Sequence, residues 1–303
     1  MISFRAFGKD FGAHRAVQGL DLEVASGEAV ALLGPNGSGK TTCLKAAAGL
    51  VRPTSGSVSL GEPPRPAHDP KARAVLSFLP QRVAFPEALS GREVLEFYRA
   101  LRGAPSGRID EVLRFAALNG AGSRAVSTYS GGMVQRLGLA VAMLPEARVL
   151  LLDEPTAALD PDGLCAFYGL VGRRRRSEQT VLFTSHHLGD VERLADRFAV
   201  LVEGRLVACL SADELKDRLS ARGVLRLRIH PSFPGLLDRV RGLSPAAAFV
   251  ADELIVPGPA SGRPAVLDLV REAGAEIRGL TAEEGRLDDL YLELVAEGRE
   301  RPA

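Results

Sequence analysis

Nowhere in its 303 residues does the chain hold the roughly 18 consecutive apolar residues that a membrane-crossing helix needs. Its start, MISFRAFGKDFG, has no apolar signal-peptide core, so export is not expected. Cysteine is scarce. Cys43, Cys165 and Cys209 stand apart in apolar or small-residue surroundings, which speaks against disulfides or a thiolate metal site and for buried small hydrophobes in a reducing cytoplasm. Five scattered histidines add no ligand cluster that would bind copper. Excess charge of one sign is also missing: 38 basic against 37 acidic residues leave a formal net charge of +1, unlike a dedicated nucleic-acid binder. There is no internal repeat, no sustained heptad pattern and no low-complexity tail.

What remains is an ordinary globular composition, 46% hydrophobic and 25% charged, long enough for one large domain or two smaller ones. The first two-thirds alternate apolar runs with helical stretches, the pattern of an α/β domain. Ala29 to Leu33, Val149 to Leu152 and Thr180 to Ser185 are expected as buried parallel strands, with a helix over Asp162 to Arg176 between the last two. FAVLVEGRLVACL has a hairpin turn at Glu203-Gly204, Gly61 to Pro70 and Gly103 to Gly107 are surface loops, and a helix is expected over Asp110 to Leu118. The first domain is set at residues 1–215, with a helical subdomain at about 85–145. A second spans 223–303 and reads strand (Val224 to Ile229), helix (Pro234 to Val240), strand (Ala247 to Val250), strand (Glu253 to Val256), helix (Ala265 to Ala273), strand (Glu276 to Leu280) and a closing helix (Leu287 to Val295). That β-α-β-β-α-β order predicts a small ferredoxin-like α+β module.

GPNGSGKTT, comprising Gly34, Pro35, Asn36, Gly37, Ser38, Gly39, Lys40, Thr41 and Thr42, matches the phosphate-loop pattern G-x-x-x-x-G-K-[ST]. An apolar strand leads in and a helix leads out, so glycine backbone N–H groups and a helix N-terminus converge on an anion. Lys40 is placed on the β- and γ-phosphates of a nucleotide, Thr41 on Mg²⁺ and Thr42 on the α-phosphate. RVLLLDEP then brings two adjacent carboxylates to a strand end, Asp153 for the metal and Glu154 for activating water.

YSGGMVQRL, Tyr129 to Leu137, resembles the signature of the ATP-binding-cassette family, usually written LSGGQ, with Met133 where many members carry glutamine. Ser130 is a natural helix N-cap, and Gly131 and Gly132 permit close backbone approach. The resemblance covers roughly Met1 to Leu215. It implies a P-loop ATPase fold in which Ser130, Gly131 and Gly132 meet the γ-phosphate held by a second copy, so that a homodimer encloses two ATP molecules. It further implies that Gln81 senses Mg²⁺ and the attacking water, that Asp160 crosses the dimer interface, that His186 bonds the γ-phosphate with His187 a bystander, and that Phe11 stacks on adenine.

The single cassette followed by a C-terminal module, and the closing GRLDDLYLEL, resemble ATPases of the ABC-2 exporter class, which act on a separate membrane permease from the cytoplasmic face. Ser77 to Ala104 is similar to the ATPase of the transporter that matures copper-dependent nitrous oxide reductase, which implies a periplasmic accessory protein reached through the complex. Other exporters, of drugs, lipids or polysaccharides, are the alternative, and a soluble ATPase of the same superfamily a further one. Arg173 to Arg176 reads as a solvated helix end. Val94, Leu95, Phe97 and Tyr98 form one helix face, either core or the groove for the permease.

Overall fold

The computed structural model describes residues 1–157, 159, 161–177, 179–185, 188–230 and 235–300, with the backbone alone at 162, 166, 170 and 173–177. Asp160, His186 and His187 therefore lie outside the described residues, as do the side chains of the Arg173–Arg176 run. Packing divides the chain into two compact units, Met1–Leu210 with Val295–Ala303, and Ser211–Leu294.

The first unit opens with the antiparallel pair β1 (Ile2–Phe11) and β2 (His14–Val24). Next come β3 (Ala29–Leu33), the phosphate loop and α1 (Lys40–Ala47). β4 (Ser55–Leu60) and β5 (Arg65–Pro66) complete a four-stranded sheet of order β2-β1-β4-β5, which alternation along the chain had not signalled. β5 sits inside the proline-rich segment expected to be only a loop. There Asp69 accepts a hydrogen bond from Lys71 N–H and caps α2 (Pro70–Ala74), whose proline occupies the first turn, where no intrahelical donor is needed. β6 (Leu76–Leu79) returns the chain to the main sheet.

Three helices follow. α3 (Gly91–Arg102) starts on a reciprocal Ser90–Glu93 capping box. It buries Val94 and Leu95 but leaves Phe97 60% exposed beside Tyr98, so the four apolar positions split between core and surface. α4 (Arg108–Phe115) is shifted from the expected Asp110–Leu118: Arg108 anchors its start by donating to Met143 O at 2.8 Å, and Ala117 adopts a left-handed φ of 51° that halts the helix. α5 (Gly131–Met143) begins at the Ser130 cap.

β7 (Val149–Leu152), α6 (Pro161–Ser177), β8 (Thr180–Thr184), α7 (Leu188–Leu194), β9 (Arg197–Val202) and β10 (Arg205–Ser211) complete a six-stranded sheet of order β10-β9-β3-β8-β7-β6. The pairs β3/β8, β3/β9, β6/β7 and β7/β8 are parallel, and β3, β7 and β8 are buried along their whole length, which is why they read as unbroken apolar runs. Glu203 and Gly204, both at positive φ, make the two-residue turn between β9 and β10. Phe4, Phe7, Leu20, Leu32, Leu44, Leu151 and Leu201 share one core cluster, which joins the two sheets and α1.

In the second unit, α8 (Ala212–Ala221) precedes β11 (Val224–His230). Residues 212–215, expected in the first domain, belong to α8 because Ser211 and Glu214 form a capping box directly where β10 ends, and Gly285 N–H donates to Leu219 O at 2.9 Å. α9 (Leu236–Arg241), β12 (Ala248–Val250), β13 (Glu253–Pro257), α10 (Arg263–Glu272) and β14 (Glu276–Glu283) follow, then α11 (Leu287–Glu300). The sheet order β12-β13-β11-β14, antiparallel throughout, is the one a ferredoxin-like chain order produces. Leu225, Leu227 and Ile229 face a separate core with Leu236, Val240, Leu254 and Val270. Between them Arg226 and Arg228 point outward to Glu283 and Glu253.

Of the cysteines, Cys43 is buried, with its thiol pushed up to about 12 by burial, whereas Cys165 is exposed and Cys209 half-buried. The expectation of three buried cysteines fails at Cys165 because its helix faces outward there.

Candidate nucleotide site

β3 ends at Leu33, and from Gly34 the chain folds back over the start of α1. Gly34 has φ 148°, and a Cβ there would collide with Leu201 O, so only glycine lets the loop leave the strand. Gly39, at φ 103°, is the N-cap of α1, and a Cβ there would lie 2.5 Å from Ala16 O. No acidic side chain occupies the first turn of α1, so its free N–H groups face the loop without competition from the chain's own carboxylates.

Lys40 is 7% exposed, and its ammonium donates to Gly34 O at 2.7 Å and Pro35 O at 3.1 Å. Burial holds its pKa below the ordinary lysine range, opposed by the nearby charges of Glu154 and Asp153. The lysine is thus a desolvated cation fixed over the loop, suited to an anion that would restore its charge balance.

A cavity of about 420 Å³ is lined by Phe11, His14, Ala16, Asn36 to Thr42, Gln81, Asp153 and Glu154. Phe11 is half-exposed on one wall, with Lys9 Nζ 5.0 Å from its ring centroid. β7 delivers the two carboxylates from the opposite side. Asp153 Oδ1 accepts a 2.7 Å hydrogen bond from Thr184 Oγ1, while Oδ2 is buried and has no partner among the described residues. Burying an unpaired carboxylate oxygen is costly unless a cation meets it. With the Thr41 hydroxyl and the Gln81 amide on the same cavity, the donor set is all oxygen, as a hard divalent cation requires. Glu154 is 4% exposed and holds a left-handed φ of 53°, unusual for a side chain of its size, and its N–H donates to Thr184 Oγ1 at 2.8 Å.

The signature residues lie elsewhere. Ser130 Oγ accepts from Met133 N–H at 3.2 Å, so the cap is made by local backbone whatever side chain stands at 133. Gly131 is exposed with open space where a Cβ would be, and none of Ser130, Gly131 and Gly132 lines the cavity. Tyr129, just before the cap, is tied down by donating to Ala121 O at 2.8 Å, and burial raises its pKa.

Sequence reasoning missed Thr184, which bridges the Asp153 carboxylate and the Glu154 backbone N–H, and Asp190, 4% exposed, which accepts from Thr156 Oγ1 at 2.6 Å, Tyr168 OH at 2.5 Å and Ser185 Oγ at 2.9 Å. A threonine ending an otherwise apolar buried strand was the available signal for the first. Nothing in LGDVERL sets Asp190 apart from an ordinary acidic residue of a surface helix.

Daunorubicin resistance ATP-binding protein DrrA3 of Streptomyces coeruleorubidus is 34% identical to this chain over 303 residues, covering 96% of this chain and 94% of that protein. The chain belongs to the ABC transporter ATPase family. Residues 17–157 of this ABC ATPase also match the family described as ABC transporter. Nod factor export ATP-binding protein I of Burkholderia lata is 37% identical over 211 residues, 68% of the ABC ATPase and 69% of that protein. The dimeric structure of a post-hydrolysis state of the ATP-binding cassette MJ0796 bound to ADP and Pi superposes with a TM-score of 0.64 at 26% identity, over 70% of the ABC ATPase and 99% of that chain. As a member of this family, the ABC ATPase binds and hydrolyses ATP. Among the described residues no helix is long and apolar enough to cross a membrane.

Proposed function

We propose that this ATPase is the motor subunit of an ABC-2 type exporter: two copies enclose two ATP molecules and drive a separate membrane permease from its cytoplasmic face. One observation carries the reading. The phosphate-loop cavity gathers Lys40, Asp153 and Glu154, while Ser130 and Gly131 stand exposed at the start of α5, and with Gly132 lie outside that cavity. A second copy supplies what one chain leaves apart, with the N-terminal end of α5 presented to the γ-phosphate. The dimeric cassette among the solved structures, and the resistance and export names of the relatives, support the same reading.

Within the site, the loop N–H groups and Lys40 bind the phosphates, and Phe11 stacks on the adenine ring. Thr41, Asp153 and Gln81 would hold Mg²⁺, which would supply positive charge to offset that of the phosphates. Glu154 orients and polarises the attacking water, and His186 and the partner's signature helix face the developing charge. The family resemblance assigns Asp160, which lies outside the described residues, to the contact between the copies. Glu154→Gln should bind ATP with near-normal affinity, lose at least about 100-fold in turnover and accumulate as a nucleotide-bound dimer. Wild-type turnover in that variant would remove the assignment.

The likeness of Ser77–Ala104 to the nitrous oxide reductase maturation ATPase is a narrower second reading, with a periplasmic copper-handling partner. Its support is that segment alone, whereas the relatives above carry drug-resistance and export names, so export of another cargo is favoured. Isolating the complex from detergent extracts separates a transporter motor from a soluble ATPase. A multi-span permease is expected; ribosomes or DNA in its place would point to a soluble ATPase of the superfamily.

A further inference from the structure

We infer that Asp190 is a positioning residue for ATP hydrolysis, its buried carboxylate clamping the segment after Glu154 to the segment after β8. The inference rests on the proposed role of Glu154 and deepens it. β7 and β8 run parallel in register up to Leu152 opposite Phe183, the last backbone pair between them. Beyond that point side chains hold the two strand ends together. Thr184 makes the first stitch, donating to Asp153 Oδ1 and accepting from Glu154 N–H. Asp190 makes the second. Its Oδ2 accepts from both Thr156, two residues past Glu154, and Ser185, the residue after Thr184. Its Oδ1 accepts from Tyr168 on α6.

Three hydroxyl donors satisfy a carboxylate that is otherwise expensive to bury, and charge-assisted bonds of this kind are stronger than neutral ones. The geometric consequence falls on Glu154. A glutamate at φ 53° persists only where its surroundings over-determine the backbone, and here the N–H on one side and Thr156 on the other are both pinned. Releasing Thr156 and Ser185 together frees the backbone to relax towards ordinary φ and swings the Glu154 carboxylate. A displacement of about 1 Å in a catalytic group is enough to cost about 100-fold in rate. Neither Asp190 nor its hydrogen-bond partners Thr156, Tyr168 and Ser185 line the phosphate-loop cavity, so the effect belongs to turnover and not to nucleotide affinity.

The two carboxylate oxygens do different work, and this sets the test. An amide at 190 can keep its oxygen towards Thr156 and Ser185 and turn its NH₂ towards Tyr168, whose hydroxyl then accepts. Asp190→Asn should therefore stay within about threefold of wild-type turnover, and Tyr168→Phe likewise. Asp190→Ala should lose at least about tenfold in kcat, with the KM for ATP and equilibrium binding of a fluorescent ATP analogue within about threefold of wild type. Thr156→Val is the near-isosteric control should the alanine variant fail to fold: it removes one arm of the clamp and is expected to lower kcat by about threefold or more. The clamp is overturned if Asp190→Ala, or Thr156→Val where the former is unfolded, keeps wild-type kcat. It is equally overturned if kcat and ATP affinity fall together, as a merely structural role would produce. Glu154→Gln assayed alongside separates the two readings: full turnover in that variant defeats the role of Glu154 itself, whereas failure of the clamp leaves Glu154→Gln inactive beside an active Asp190→Ala.

Discussion

The phosphate loop and the signature are both glycine-rich segments at the start of a helix, yet the structure treats them in opposite ways. The loop is enclosed: Gly34 and Gly39 lie against backbone carbonyls, Lys40 is buried and bonded to the loop, and Asp153 and Glu154 close the far wall. The signature is open: Ser130 and Gly131 are exposed, with nothing where a Gly131 Cβ would point. Glycine serves the first as a steric necessity of this chain's own fold. In the second, Gly131 meets no neighbour among the described residues where a Cβ would stand, which is what a residue reserved for a partner looks like.

Substitutions at the two glycines break that comparison most directly. Gly34→Ala forces a side chain into Leu201 O at a positive φ and should abolish ATP binding, with at least about 100-fold weaker affinity in a titration of the single chain. Retained affinity would show that the loop can rearrange. Gly131→Asp should leave the isolated chain alone, since an acidic residue in the first turn of a helix is favourable there. Its thermal midpoint should stay within about 2 °C and its monomer ATP affinity within about twofold. On the proposed dimer, the carboxylate instead faces the partner's γ-phosphate, so turnover should fall by about 100-fold and nucleotide-dependent dimerisation disappear. Unchanged turnover would remove the signature from the reaction. A smaller effect sharpens the description of the enclosed half: Thr184→Val strands Asp153 Oδ1 and the Glu154 N–H, so kcat should drop about tenfold and stability by about 1–3 kcal/mol, read from turnover and denaturant titration.

Most of the enclosed half was legible in sequence. GPNGSGKTT and LLLDEP carry their chemistry in consecutive residues, and the strands that deliver them are apolar runs because both faces of the parallel sheet are covered. Less legible were the sheet β2-β1-β4-β5, whose strands are half-exposed and interrupted by register shifts, and the extent of α4, decided by one left-handed alanine. The clamp on Asp190 was not legible at all. Thr156, Tyr168, Ser185 and Asp190 come from four separate stretches, each ordinary by itself.

By itself, then, the sequence determined the site's local parts: a glycine-rich loop between a strand and a helix, a strand ending in paired carboxylates, a capped signature helix, and the element order of the second unit. Those follow from backbone sterics and hydrophobic period, which act between near neighbours. Tertiary structure alone decided which parts share a cavity, that the signature stands apart from it, and which hydroxyls hold Glu154 in a conformation it would not adopt unaided. These depend on hydrogen bonds between residues some thirty positions apart, and only packing of the parallel sheet brings them within reach.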